Sequence, residues 1–462
     1  MTGAEALTEA DMSLDHILEN ADRSLDEAVE LLAELIRVPS INAGEDGPGH
    51  ETDVCRVLQA KLAREGIEAR ILESAPDRGN LVASLGSGGR PRLLLMSHLD
   101  VVPVDDADQW RFPPFAGTVA DGAIHGRGAA DCKGLAAAGA MALLVLARVN
   151  LPLRGTVILA AGADEETGGR YGFEWLARQH RDLIAADYAL NEGGGTCFQT
   201  GERLGYILNT GEKGRLEATI TLTGRGGHAA APWAADSPLY PLATAVQRLQ
   251  AYRPGVDLSH PVFDAARAMM ARDLVRFLSV DFAALDRAER GIASALRGAS
   301  AMTVTPTMAR AGSKSNAIPA TAQLTCDVRT LPGQTQADVE RALADALKGL
   351  AGVQVQVRTT AEPSASDYPT PFSQAVQRAT AAATGHHDLA WLPGITSGFT
   401  DSRFVRPLGA TVYGFAPQAP RPELGGQEGV HGRDECLPVE SLRTMLRTLV
   451  AVAWETVAKR DA

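Results

Sequence analysis

The sequence predicts an α/β protein, with a mostly parallel sheet flanked by helices and an inserted ferredoxin-like α+β domain. Three observations predict it. Between residues 69 and 191 several strand-like segments are apolar throughout, and helices separate them, the pattern of a sheet covered on both faces. Near residue 213 the texture changes to strands that alternate polar and apolar, in the order β-α-β-β-α-β. After about residue 362 the helical and apolar-strand texture returns. The chain therefore divides into an α/β domain built from 1–212 and 362–462, and an insert at 213–361.

The elements follow in order. SLDEAVELLAELIRV carries apolar residues at helical spacing, with Ser24 as its expected N-cap. A second helix, HETDVCRVLQAKLAREG, stops at Gly66. The strands EARILE, NLVASLG and RLLLMSH come next, then the Ala-rich helix KGLAAAGAMALLVLARV and the strand TVILAAG. In the insert, RLEATITLTG, MTVTPTMARAG, ATAQLTCDVRT and VQVQVRTT alternate as half-solvated strands do. PLATAVQRLQAY and TQADVERALADALKGL supply its helices, and a helical insertion is expected near 254–300. TPFSQAVQRATAAATG, GATVYGF and VESLRTMLRTLVAVAWETVAK complete the α/β domain.

Composition narrows the function classes. The 462 residues are 45% hydrophobic and 22% charged, which is globular. A net charge of −12 without a basic stripe argues against a nucleic-acid partner. No apolar h-region opens the chain and no run of about 18 apolar residues is seen, so neither a signal peptide nor a membrane span is expected. Cys55, Cys132, Cys197, Cys326 and Cys436 are scattered and odd in number, which reads as free thiols in a cytoplasmic protein.

The chemistry gathers where strands end. RLLLMSHLD ends in His98 and Asp100, and Asp131 stands in the Gly-rich turn before a helix. Asp164, Glu165 and Glu166 follow TVILAAGA, Glu192 follows DYALN, and His431 lies in GVHGRDECLP. Each is unremarkable by itself, as a solvated turn or a helix-terminal acid. Together they aim several carboxylates at one crevice beyond the carboxyl ends of the strands, where open α/β sheets bind ligands. Such a cluster needs compensating cations, and His with carboxylates suits zinc, cobalt or manganese. A carboxylate beside a metal-binding His is the expected orienting partner, which explains Asp100.

HLDVVPVDDADQWRFPPFAGTVADGAIHGRGAADCKG resembles the first metal-binding block of metallopeptidase family 20, the dinuclear metallo-hydrolases that include aminoacylase, carboxypeptidase S, acetylornithine deacetylase and succinyl-diaminopimelate desuccinylase. The resemblance continues through ADEETGG, ALNEGGG, TGRGGHAAAPW, SNAIPATAQLTCDVR, TDSRF and VHGRDECLPVESL, nearly the whole chain in the family's order. It implies that His98 and Glu192 bind one metal, Glu166 and His431 the other, and Asp131 bridges them. It implies two divalent ions, zinc foremost with cobalt or manganese as alternatives. Glu165 becomes the general base for a metal-activated water, and Asp100 the residue that orients His98. The insert becomes a lid and dimerisation domain whose His228 stabilises the oxyanion in the neighbouring subunit's site. Asn316, Arg329 and Asp401, with Ser402 beside it, become substrate contacts, Arg329 by a bidentate grip on a carboxylate.

The implied function is hydrolysis of the amide bond in N-acyl amino acids or small peptides with a free carboxylate. An acetylornithine deacetylase or succinyl-diaminopimelate desuccinylase type of deacylation is the alternative, and a non-catalytic metal-binding protein on the same fold is a third reading. The implied partners are the small-molecule substrate and a second copy of the chain, with no nucleic acid and no membrane. Cys132 and Cys197 are expected to be buried rather than ligating, and Trp110 to pack beneath its loop.

Overall fold

The computed structural model describes residues 13–44, 47, 49–200, 202–270, 292–421 and 429–458. The chain forms two compact units: residues 1–210, 366–393 and 400–462 in the first, 211–365 and 394–399 in the second.

The first unit is built on a mixed sheet. Across it the strands run Ala69–Glu73, Gly79–Gly86, Thr156–Gly162, Arg92–His98, Tyr188–Asn191, Thr411–Gly414 and Arg203–Glu212. The centre is parallel: Arg92–His98 lies between Thr156–Gly162 and Tyr188–Asn191, and Thr411–Gly414 continues the same direction. The flanks are antiparallel. Ala69–Glu73 and Gly79–Gly86 are joined by a short turn, which leaves no room for the crossover a parallel pair requires. The apolar-throughout pattern has a direct physical cause. Leu93 and Leu95 face one core with Val157 and Leu159, while Leu94 and Met96 face another with Ile158 and Ala160. Both faces of these strands are buried, so neither accepts a polar residue.

Helix Gly134–Arg148 lies in the larger of those cores and is buried from Gly134 through Leu146. The stretch Ala129–Arg148 is long and apolar enough to cross a membrane by length and composition, a feature missing from the sequence reading. Protein covers 89% of its apolar window, so its composition is that of a core helix. Ser24 differs from expectation as well. It ends helix Leu14–Arg23 and begins helix Leu25–Ile36 at φ −94 and ψ 4, and its side chain makes no cap to the second helix. It accepts instead from Arg148 at 3.5 Å.

In the second unit, Thr303–Ala311, Thr321–Thr330, Gly214–Thr223 and Val353–Ala361 lie side by side in that order, all antiparallel. Leu216, Ala218, Ile220 and Leu222 alternate inward against helices Leu239–Ala251 and Gln336–Ala346. Helices Pro261–Met270 and Ile292–Ser300 belong to the expected helical insertion. Val262 and Phe263 are fully buried, and 271–291, where the rest of that stretch falls, lies outside the described residues.

One glycine of the first unit makes a sharp stability prediction. A Cβ on Gly172 would sit 1.9 Å from the Ala163 carbonyl oxygen, a backbone atom that cannot swing away. Gly172→Ala should therefore cost at least the ~1–3 kcal/mol of an overpacked core. Urea unfolding at wild-type midpoint would refute this contact.

Candidate metal centre

Three neighbouring parallel strands deliver their carboxyl ends to one place. His98 is the last residue of Arg92–His98, the acidic turn at 164–166 follows Thr156–Gly162, and Glu192 follows Tyr188–Asn191. Strand spacing of about 4.8 Å makes their convergence a consequence of topology.

His98 is 1% exposed, and its ring orientation is fixed. Nδ1 lies 3.0 Å from the Asp100 carbonyl oxygen, which only accepts, so Nδ1 carries a proton and Nε2 is the nitrogen turned toward the carboxylates. That Nε2 is 2.9 Å from Asp131 Oδ1 and 3.6 Å from Glu192 Oε1. On the other side of Asp131, His431 Nε2 is 3.2 Å from Oδ2 and 3.2 Å from Glu166 Oε2. The two oxygens of one carboxylate thus face two different histidines. Donors around a tetrahedral ion with bonds near 2.0 Å stand about 3.3 Å apart, the spacing found here. His98, Asp131 and Glu192 form one group and Asp131, Glu166 and His431 a second, each with its donor atoms within 4.8 Å of one another. Cys132 belongs spatially to the first group. Its buried sulfur accepts the His98 backbone N–H at 3.1 Å and lies 3.6 Å from the His98 carbonyl oxygen, so its polar capacity is used on backbone.

Glu165 stands in neither group. From an extended strand end, adjacent Glu165 and Glu166 would point to opposite sides. The structure separates them differently: Asp164 is left-handed at φ 68, and Glu165–Thr167 is a 3-10 turn. Asp100 holds that turn. Its carboxylate accepts the backbone N–H of Glu165 at 3.0 Å and of Glu166 at 3.1 Å, and the Asn42 side-chain amide at 2.9 Å. The expected carboxylate–His98 contact is longer, 3.5 Å. The Asp100 backbone carbonyl orients His98, while its side chain positions the two glutamates.

The electrostatics are those of carboxylates crowded into one buried site. Burial, with the charge of Glu192, drives the Glu165 carboxyl well above its usual range. Burial pushes Glu192 up to about 7 and raises Glu166. Contacts with Asp131 and Glu166 raise His431 to about 10. Asp131 is held below the usual range by His431 and His98 despite its burial. Protons are being retained where positive charge is needed, and a pair of divalent ions fits that donor set.

The remaining expected residues are distributed as follows. Asp401 is 2% exposed, and neither carboxyl oxygen has a hydrogen-bond partner among the described residues. It packs under Gly169, where an added Cβ would meet Asp401 Oδ1 at 2.5 Å. Burial holds its carboxyl well above the usual range. In the second unit, His228 is exposed in a two-residue strand paired with Ala317–Ile318, and Asn316 is exposed next to it, its carbonyl accepting from Ala229 at 3.0 Å. His228 Nδ1 accepts the Ala230 N–H at 3.0 Å, which leaves Nε2–H as a free-standing donor. Arg329 is engaged side-on: Nε donates to Asp327 Oδ1 at 2.7 Å and Nη2 to Oδ2 at 3.3 Å.

Sequence reasoning passed over Asn42, Arg127 and Glu435. Asn42 is 3% exposed, and its amide reaches Asp100, Asp164 and Thr167. Glu435 accepts three backbone N–H groups of the Asp131 loop. The available signal was an acid four residues after His431, just ahead of an apolar segment.

A family model described as peptidase family M20/M25/M40 matches residues 94–455. Among curated proteins, the succinyl-diaminopimelate desuccinylase of Beijerinckia indica subsp. indica is 34% identical over 232 residues, 48% of this chain. The match spans only 56% of that relative, so the chain covers about half of its length. Among solved structures, an M20 family metallo-carboxypeptidase, Sso-CP2, from Sulfolobus solfataricus aligns with TM-score 0.69 at 21% identity, covering 92% of this chain and 98% of the other. Human carnosine dipeptidase 1 aligns with TM-score 0.68 at 17% identity, covering 96% and 98%. At such identities these structures speak to the fold alone.

Proposed function

The chain belongs to peptidase family M20/M25/M40, and from that premise we propose that it hydrolyses the amide bond of N-acyl amino acids or short peptides with a free carboxylate, using two divalent metal ions. The observation that carries the proposal is Asp131, whose two oxygens face His98 and His431 separately. His98 and Glu192 would hold one ion and Glu166 and His431 the other, with Asp131 serving both. Zinc is the first choice, with cobalt or manganese as alternatives for a set of nitrogens and carboxylates. Bound ions would supply Lewis-acid polarisation of the scissile carbonyl and a lowered pKa for water.

The chain's own residues do the rest. Glu165 takes the proton of the attacking water and returns it to the leaving nitrogen. Asp100 keeps the Glu165–Glu166 turn in place. His228 offers Nε2–H to the oxyanion, and Asn316 and Arg329 contact the substrate. Asp327 occupies one side of the Arg329 fork and the Ser397 carbonyl lies 3.5 Å from Nη1, so a substrate carboxylate would be met by the remaining N–H groups of the guanidinium. Asp401 lies buried against Gly169, just past the turn that carries Glu165 and Glu166. The second unit serves as lid and dimerisation domain, a reading supported by Trp233 and Tyr240, which are 82% and 79% exposed. The five free cysteines support a cytoplasmic setting.

A desuccinylase-type deacylation is the second reading, favoured by the Beijerinckia indica relative. The discriminating experiment is hydrolysis of N-acetyl and long-chain N-acyl amino acids, dipeptides, N-acetylornithine and N-succinyl-diaminopimelate, with and without chelator. Chelator-sensitive release from one class selects the substrate. Silence on all of them by protein verified to hold two metals removes the proposal.

Two further outcomes follow. Metal loading of chelator-stripped protein should release protons and tighten as pH rises through about 7, where Glu192 ionises, while His431 still gives up its proton below about 10. Calorimetry in buffers of differing ionisation heat measures this, and pH-independent affinity between 6 and 8 (on the order of one unit around the Glu192 value) counts against the ligand assignment. His228→Ala should cut kcat by ~10²–10³. Mixed dimers of His228→Ala with Glu165→Ala should recover activity, and their failure to do so removes the cross-subunit role.

A further inference from the structure

We propose that the buried Arg127–Glu435 ion pair is a positioning pair for the metal centre, holding the loop that presents Asp131 in register with the turn that presents His431. The inference rests on the dinuclear reading above.

Glu435 is 1% exposed and Arg127 3%. Arg127 Nη1 donates to Glu435 Oε2 at 2.7 Å. The carboxylate is then filled by backbone. Oε2 accepts Gly128 N–H at 3.0 Å, and Oε1 accepts Ala130 N–H at 3.0 Å and Asp131 N–H at 3.1 Å. Burying a carboxylate is costly, and these four donors are what make the position tolerable. Three of them lie within residues 128–131 of one loop and end at the amide of Asp131 itself. They fix the path of that loop at the residue whose oxygens are shared between His98 and His431.

The other arm of the guanidinium points to the second loop. Arg127 Nη2 donates to the Gly432 carbonyl at 3.0 Å, one residue past His431. His431 is left-handed at φ 58, and its side chain is 53% exposed, so packing does not set its direction. The link at Gly432 does. Two surrounding contacts brace the arrangement. Gly126 N–H donates to the Glu435 carbonyl at 2.9 Å, and Cys436–Pro438 pairs with Ala123–His125. Trp110, 8% exposed, lays its ring 5.2 Å from the guanidinium and closes the pair off from water. The burial of Trp110 expected from the sequence thus has a specific task.

The alternative is a pair that only stabilises the fold, and metal affinity separates the two. Chelator-stripped wild-type protein is titrated with Zn²⁺ against a chromophoric chelator, and His431→Ala identifies which of the two affinities belongs to the His431 site. Glu435→Gln keeps the volume but turns one oxygen into a donor facing N–H groups. Arg127→Lys keeps the charge but loses the fork that reaches both partners. Each should weaken the His431-dependent site by about 10–100-fold. Wild-type affinity at that site in both variants, whatever their melting temperatures, overturns the proposal. Wild-type protein that binds no Zn²⁺ at all overturns the metal-centre reading, and this inference with it.

Discussion

Glu165→Ala should lower kcat by ~10²–10⁴-fold while the protein still carries two metal ions. The separation of these two effects comes from geometry. Glu166 lies against His431, and Glu165 belongs to neither donor group. Truncating Glu165 removes no donor from either. The turn also survives, because Asp100 grips the backbone amides of residues 165 and 166 rather than their side chains. Glu165 is 8% exposed and its carboxyl is strongly raised by burial and by Glu192. Removing it lightens a crowded set of carboxylates, so stability should not fall. Single-turnover kinetics with elemental analysis of the same sample checks both halves. Near-normal turnover would remove Glu165 as the base. Loss of metal along with activity would make it a ligand instead.

The elements that were legible in the sequence are those whose signal is local. Arg92–His98 reads as a doubly buried strand because its odd and even residues enter two different cores, and Gly214–Thr223 reads as half-solvated because only its even positions are buried. His98, Glu166 and Glu192 could be grouped as candidates because parallel topology puts strand ends together. What stayed hidden is long-range or conformational. Asn42 acts on residues 58 and 122 positions away, and Arg127 on one 308 positions away, and no periodicity encodes such partners. Asp100 was placed beside His98 from their spacing, yet its carboxylate serves amides 65 residues downstream. The antiparallel flanks escaped notice because an apolar strand looks the same in either direction.

Asp131→Ala should abolish activity and strip both metals, the largest effect on metal content of any single substitution. Among the described residues Asp131 alone stands in both donor groups. With it gone, the first group keeps His98 and Glu192, the Cys132 sulfur being engaged by the His98 backbone, and the second keeps Glu166 and His431, fewer than the three protein donors a catalytic zinc takes. The loss should exceed the ~10–100-fold typical of residues outside the coordination sphere, so neither ion survives gel filtration in a weak chelator. The fold should persist, since Asp131 is anchored through its backbone N–H to Glu435, and its side-chain ion pairs among the described residues go to His98 and His431 of the centre. The comparison with His431→Ala is the decisive part. That substitution removes a donor from one group only, and should leave one ion bound. If Asp131→Ala also retains one ion at wild-type affinity, its carboxylate does not bridge, and the two histidines serve separate sites.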